Sequence, residues 1–213
     1  QPEKRTIQGE IEKALEKLYQ QKVETFASGR TDAGVHAYGA VLHFDQPKEL
    51  KNPKLQESIN AYLPEDVKVV RLEKVSIDFD ARFSSKRKTY VYKFYLSPFE
   101  RPLLRNYALM VDDRVDVQKM NNACKYLIGE HDFRSFVARK SGKTNFVRTV
   151  YDAKIEKTAG NEYQFKICGN GFLYNMVRII MGTLINVGLS RIEEEDMKKI
   201  IEAKDRTKAG KTV

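Results

Sequence analysis

An aspartate and an arginine lie two residues apart in a short segment that begins and ends with glycine, residues 29–34. Glycine permits a tight, exposed turn, so the segment can present the Asp32 carboxylate and the Arg30 guanidinium together. A nearby cation favours the ionised carboxylate, which can act as a nucleophile, a base or a metal ligand. The alternative is an Asx-turn, in which Asp32 caps its own backbone. Ser28 and His36 flank the pair, but a hydrolytic triad is defined by geometry that spacing does not supply.

A basic run leads into alternating tyrosines. Residues 86–88 are Lys-Arg-Lys, and Tyr90 and Tyr92 follow at the two-residue spacing of one strand face. Cations contact phosphates and aromatic rings stack on bases, so the pattern indicates RNA binding. The alternative is a solvated charge run followed by core aromatics, with one of the two tyrosines purely structural.

Arg178 lies in an apolar helix predicted over residues 172–188. A buried guanidinium is costly unless a carboxylate pairs with it, so an active-site aspartate is one candidate partner; the alternative is that Arg178 extends to solvent. Backbone N–H groups around Asn170, which two glycines flank, are expected to face an anion. Gly182 in mid-helix implies close packing of another helix against it. The basic tail, residues 203–211, fits a phosphate-facing loop or a frayed terminus.

Composition narrows the function classes. The chain has 213 residues, with 38 Lys and Arg against 29 Asp and Glu, so the net charge is +9. A basic balance favours a polyanionic partner, nucleic acid first. Two distant cysteines and three histidines argue against a disulfide framework and a metal centre. The longest apolar stretch, residues 176–187, is too short to cross a bilayer. These features predict a cytoplasmic protein with no metal and no membrane partner.

The predicted elements are mixed in order. Helices are predicted at residues 6–19, 55–63, 117–127, 172–188 and 196–203. Strands are predicted at residues 35–44, 67–75 and 89–96, and a hairpin at 148–157 and 162–168. Without regular strand–helix alternation, this order favours an α+β fold with a mainly antiparallel sheet. Two halves are expected, residues 1–83 and 84–213.

Four blocks together resemble the TruA family of tRNA pseudouridine synthases, and they fall in the family's order at residues 29–37, 81–92, 171–178 and 203–210. The resemblance implies two ferredoxin-like halves joined in one large, mainly antiparallel sheet, with helices on one side and a central catalytic cleft. It implies isomerisation of uridine to pseudouridine in the tRNA anticodon stem-loop, at tRNA positions 38 to 40. It also implies a homodimer that binds tRNA and uses no cofactor and no metal.

The resemblance also implies a role for individual residues. Asp32 matches the catalytic aspartate, which attacks the base or the sugar of the target uridine. Arg178 matches the arginine that pairs with this aspartate. Tyr90 matches the tyrosine that stacks on the target base. Arg30 matches the arginine linked to base flipping and to holding the RNA backbone.

The chain departs from the family pattern at both ends. Family members begin with a strand and a segment that ends in Trp-Gln, and Gln1 is expected to be the last residue of that segment. The half 1–83 is therefore expected to lack its first strand, and the half 84–213 its closing strand. A non-catalytic RNA-binding module of ferredoxin-like fold is the alternative function. A glycosidase that uses Asp32 would need a second, opposed carboxylate, for which no motif stands out.

Overall fold

The computed structural model describes residues 5–49, 52–138 and 144–213, so the expectation for Gln1 lies outside the described residues. The chain divides into two compact units, Gln1–Ser85 and Lys86–Val213. Helices and strands are present in both, and the predicted α+β class is confirmed. The expected halves 1–83 and 84–213, and the sheet that would join them, stay predictions.

The first unit contains two helices and a short hairpin: α1 (Ile7–Tyr19), β1 (Phe26–Ala27), β2 (Leu42–His43) and α2 (Leu55–Tyr62). Helix α1 begins as predicted, because the Thr6 hydroxyl caps it by accepting from the Gly9 amide at 3.0 Å. The core of the unit consists of residues of α1, of α2 and of the segments that follow them: Ile11, Ala14, Leu15, Tyr19, Val23, Ile59, Leu63 and Val67. Strands β1 and β2 are antiparallel, with Phe26 opposite His43.

Two strand predictions in this unit are wrong. The strand expected over residues 35–44 is limited to β2, because residues 35–41 form an exposed loop with no apolar face to bury. The segment 67–75 alternates as a strand would but forms none. Its third residue, Val69, has both backbone groups bonded to the Asn60 side-chain amide of α2, each at 2.8 Å. The side chain of α2 therefore replaces a neighbouring strand at this point.

The second unit is built on a five-stranded sheet. Its strands are β3 (Lys88–Leu96), β4 (Leu109–Val111), β5 (Gly129–Asp132), β6 (Val147–Ala159) and β7 (Glu162–Gly169), in the order β4-β3-β7-β6-β5. The β3–β4 pair is parallel and the other three pairs are antiparallel. Its helices are α3 (Val117–Cys124), α4 (Met176–Gly188) and α5 (Asp196–Ala203), and short 3₁₀ turns cover Pro102–Leu104, Lys125–Leu127, Arg134–Phe136 and Arg206–Lys208.

Most predictions for this unit are confirmed, including strand β3, the β6–β7 hairpin and α5. Helix α4 begins four residues later than predicted, because Asn175 adopts a left-handed conformation (φ 60°) that interrupts any earlier turn. Gly182 packs against the chain segment around Gly210 rather than against a second helix. The buried Gly210 amide donates to the Thr183 hydroxyl at 2.9 Å. The tail is thus packed on α4, and the frayed alternative is wrong.

Candidate functional site

Asp32 lies in the exposed loop that joins β1 to β2. The Ser28 amide donates to the Val41 carbonyl at 2.8 Å and closes the base of this loop. At its tip the Val35 amide donates to the Asp32 carbonyl at 3.2 Å, and Gly34 has a φ of 80°, which favours glycine. The predicted turn is therefore present, and it holds a partly exposed aspartate where a large substrate can approach.

Helix α1 fixes the strand that enters this loop. The Glu12 carboxylate accepts from both the amide and the hydroxyl of Thr25, at 3.0 and 2.9 Å. Thr25 is 3% exposed and directly precedes β1. The side-chain amide of Gln8 also donates to Glu12, at 2.9 Å. The sequence does not indicate this contact, because Glu12 occupies an ordinary polar position of an amphipathic helix.

His43 fixes the strand that leaves the loop. Its Nδ1 accepts from the Ala81 amide at 3.0 Å, and its ring stacks on Phe26 with centroids 5.2 Å apart. Ala81 belongs to a turn in which the Asp80 carboxylate accepts from the amides of Phe83 and Arg82. These bonds, that of Phe83 foremost, lower the pKa of Asp80. The block at residues 81–84 is therefore a capped turn tied to β2.

Tyr90 and Tyr92 lie on the same face of β3, as the sequence predicts. Both pack on the core of the second unit, whereas Val91 between them is 40% exposed. The Tyr90 ring meets the edge of Phe172 with centroids 5.0 Å apart. Burial raises the pKa of Tyr92, and the nearby charge of Arg178 partly offsets this. Both rings are thus held by the same core that supports α4.

Arg178 lies in the first turn of α4 and is partly buried. Its Nε donates to the Val213 carbonyl oxygen at 2.6 Å, and its Nη1 donates to Asn175 Oδ1 at 3.4 Å. The C-terminal segment therefore fixes the orientation of this guanidinium. Its pairing with Asp32 stays a prediction, since Asp32 belongs to the other unit.

The turn at Asn170 is hydrogen-bonded to β6. The Asn170 amide donates to the Thr149 carbonyl at 2.9 Å, and the Thr149 amide donates to Asn170 Oδ1 at 3.0 Å. The Asn170 N–H is therefore already bonded to β6, and the expectation that N–H groups of this turn face an anion stays a prediction for its neighbours. In this turn an alanine Cβ at Gly171 would contact the side chain of Arg148.

Within residues 5–49, 52–138 and 144–213 no three His, Cys, Asp or Glu side chains are grouped so that they could hold a metal ion. No helix in this part of the chain is both long and apolar enough to cross a membrane.

Comparison with known proteins gives consistent matches. The family model described as tRNA pseudouridine synthase matches residues 1–84 and 123–213. The chain is 46% identical over 213 residues to the tRNA pseudouridine synthase A of Anoxybacillus flavithermus, covering 100% of this chain and 86% of that protein. It is 45% identical over 214 residues to the protein of that name in Bacillus subtilis, with the same coverage. The corresponding protein of Caldicellulosiruptor bescii is 44% identical over 214 residues, with 100% and 87% covered.

Proposed function

This chain belongs to the family of tRNA pseudouridine synthases, and on that premise we propose that it converts uridine to pseudouridine in the anticodon stem-loop of tRNA, at tRNA positions 38 to 40. It is a tRNA pseudouridine synthase and hence an isomerase. The observation that carries the finer proposal is the Asp32 loop, an exposed turn held at both of its strands by distant parts of the first unit.

The reaction needs an anion and a confined base. The glycosidic bond from N1 of uracil to the ribose breaks, and a bond from C5 to the same ribose carbon forms. The C5 hydrogen leaves as a proton and N1 gains one, so the atoms balance without any co-reactant. We assign to Asp32 the nucleophilic attack that opens this exchange, on the base or on the sugar.

The target nucleotide must first leave the helix stack, which costs a few kcal/mol. We assign to Tyr90 the stacking that replaces the lost contact, since an aromatic face accepts any base. Arg30, exposed on the Asp32 loop, is assigned to base flipping and to the RNA backbone.

Arg178 is assigned the role of cationic partner to Asp32. A guanidinium beside a carboxylate keeps it ionised and oriented. A double-mutant cycle on the free energy of unfolding tests this role: the cost of Arg178→Ala should be smaller in the Asp32→Ala background than in the wild type. Additive costs of the two substitutions would contradict the pairing.

The family resemblance supports further proposals about the assembled protein. We propose two ferredoxin-like halves joined in one mainly antiparallel sheet, with helices on one side and a central cleft. We also propose a homodimer, a cytoplasmic location, and a reaction without cofactor or metal. Light scattering tests the dimer, and a monomer at the concentrations of the activity assay would refute it.

The deciding experiment follows tritium from tRNA that carries uridine labelled at C5, because the reaction releases that hydrogen to water. Wild-type protein should release the label, whereas Asp32→Asn and Asp32→Ala should release none while still binding tRNA. Asp45→Asn is the control, because Asp45 is an exposed aspartate just after β2. An Asp32→Asn variant that is nearly as active as the wild type would refute the nucleophile. Wild-type protein that binds tRNA without releasing label would favour the non-catalytic RNA-binding module.

A further inference from the structure

Arg148 lies on β6 at the end of the sheet where β3 begins and β7 ends. Its side chain lies on the helix-covered face, because Val150, two residues along, is 2% exposed in the core. The arginine is partly buried, and an alanine Cβ at Gly171 would lie 3.7 Å from its Nε. The Arg148 guanidinium therefore lies on the face of the sheet that packs against the hydrophobic core.

The described hydrogen bonds use only one nitrogen of this guanidinium. Nη1 donates to the carbonyl oxygens of Asn145 and Val147, at 3.4 and 2.5 Å. Within the described residues no carboxylate lies within ion-pair distance of Arg148, whereas five other arginines have one: Arg5, Arg71, Arg101, Arg114 and Arg134. The segment 139–143 contains no Asp or Glu. Burial lowers the pKa of Arg148.

Consecutive residues connect Arg148 to Tyr90. Gly171 lies against Arg148, and the next residue, Phe172, meets the Tyr90 ring. Tyr90 and Arg148 share the helix-covered face, two strands apart in the sheet. Strand spacing and rise put their Cα atoms roughly 16 Å apart. One base cannot bridge that distance, whereas the RNA backbone beside a bound nucleotide can reach across it.

We propose that Arg148 binds a backbone phosphate of the RNA beside the nucleotide held by Tyr90, and so helps to position the target. The planar fork of an arginine suits a phosphate, which it can hold through two parallel hydrogen bonds. This inference rests on the proposed tRNA function, since it needs an RNA substrate. It adds a binding residue that none of the four sequence blocks contains.

The test is the salt dependence of tRNA binding. Each phosphate contact contributes about 0.7 to 0.9 to the slope of log K against log salt. Arg148→Gln removes the charge but keeps an amide that can donate to the same two carbonyl oxygens. It should flatten the slope by about that amount and weaken binding roughly tenfold at low salt. Arg148→Lys should keep the slope. Lys93→Gln is the control, because Lys93 is exposed on β3 at a position that alternates with Tyr90 and Tyr92, and it should behave as the wild type.

The outcomes separate a phosphate contact from a structural role. If Arg148 only holds the residue 145–147 segment, Arg148→Gln keeps the wild-type slope, and the inference is overturned even if the melting temperature falls. A flattened slope with an unchanged melting temperature supports it. Failure of the proposed function is seen separately, as wild-type protein that binds tRNA but releases no tritium. In that case the slope still decides whether Arg148 contacts a phosphate.

Discussion

Replacing Gly182 with alanine would test how closely α4 is held to the C-terminal segment. The new Cβ would overlap the Lys211 carbonyl oxygen, which is backbone and cannot turn away as a side chain would. Overpacking of this kind costs about 1 to 3 kcal/mol. A shift of the segment would also weaken the buried bond from Gly210 to Thr183, worth about 1 kcal/mol. The higher helix propensity of alanine returns about 1 kcal/mol, so the net loss should be about 2 kcal/mol.

The same shift should reach Arg178, because its Nε bonds to the Val213 carbonyl oxygen in that segment. Thermal unfolding of the Gly182→Ala variant should therefore move down by about 4 to 8 °C, and the rate of tritium release should fall with it. Gly9→Ala is the matched control, since its Cβ would meet only the Thr6 hydroxyl at 3.2 Å. It should change the melting temperature little. A Gly182→Ala variant that melts and reacts as the wild type would refute the close contact and its link to Arg178.

Three further predictions concern single side chains. Tyr90→Phe should keep most of the activity and Tyr90→Ala should lose it, because stacking needs only the ring; equal losses would mean that the hydroxyl is essential. The pKa of Asp80 is lowered in the folded state. Its cap therefore stabilises the fold at pH values above the unfolded-state pKa of about 3.9, and that stability is lost as the pH falls through the folded-state pKa. The stability gap between wild type and Asp80→Ala should accordingly close in acid, and a gap independent of pH would contradict the cap. Burial raises the pKa of Cys124 to about 12, so a thiol reagent should modify the partly exposed Cys168 in the native protein and reach Cys124 only after unfolding; equal rates would contradict this burial.

Elements with local signals were predictable from the sequence. Helix α1 follows from the Thr6 cap and the apolar spacing after it, and the β6–β7 hairpin follows from two alternating runs around a turn with Gly160. The segment 67–75 shows that an alternating pattern is not sufficient for a strand. Its pattern fits a strand, but the partner of Val69 is a side chain of α2, nine residues earlier. Alternation describes one chain segment, whereas a strand also needs a neighbour.

The residues of the candidate site also divide into those with a local sequence signal and those whose partners are distant in sequence. Asp32, Arg30, Tyr90 and Arg178 were found because each lies in a compact motif. The residues that hold the Asp32 loop were missed, because their partners are distant in sequence. Glu12 bonds to Thr25, and His43 bonds to Ala81, 38 residues later. A motif therefore indicates a candidate residue, and the contacts that hold its loop in place become visible only in the fold.

Arg148 and Arg178, both partly buried in the second unit, show how much of an arginine's surroundings the sequence alone predicts. Arg178 has apolar flanks, from which the sequence predicts either a carboxylate partner or extension of the side chain to solvent. Its described bonds within this unit go to a carbonyl oxygen and a side-chain amide oxygen. Arg148 is partly buried too and also bonds to carbonyl oxygens, yet its flanks gave no signal. Apolar flanks therefore predict that the donors of a guanidinium need oxygen acceptors. Carbonyl oxygens satisfy donors without neutralising the charge, and the positive charge that remains on Arg148 is what an RNA phosphate would neutralise.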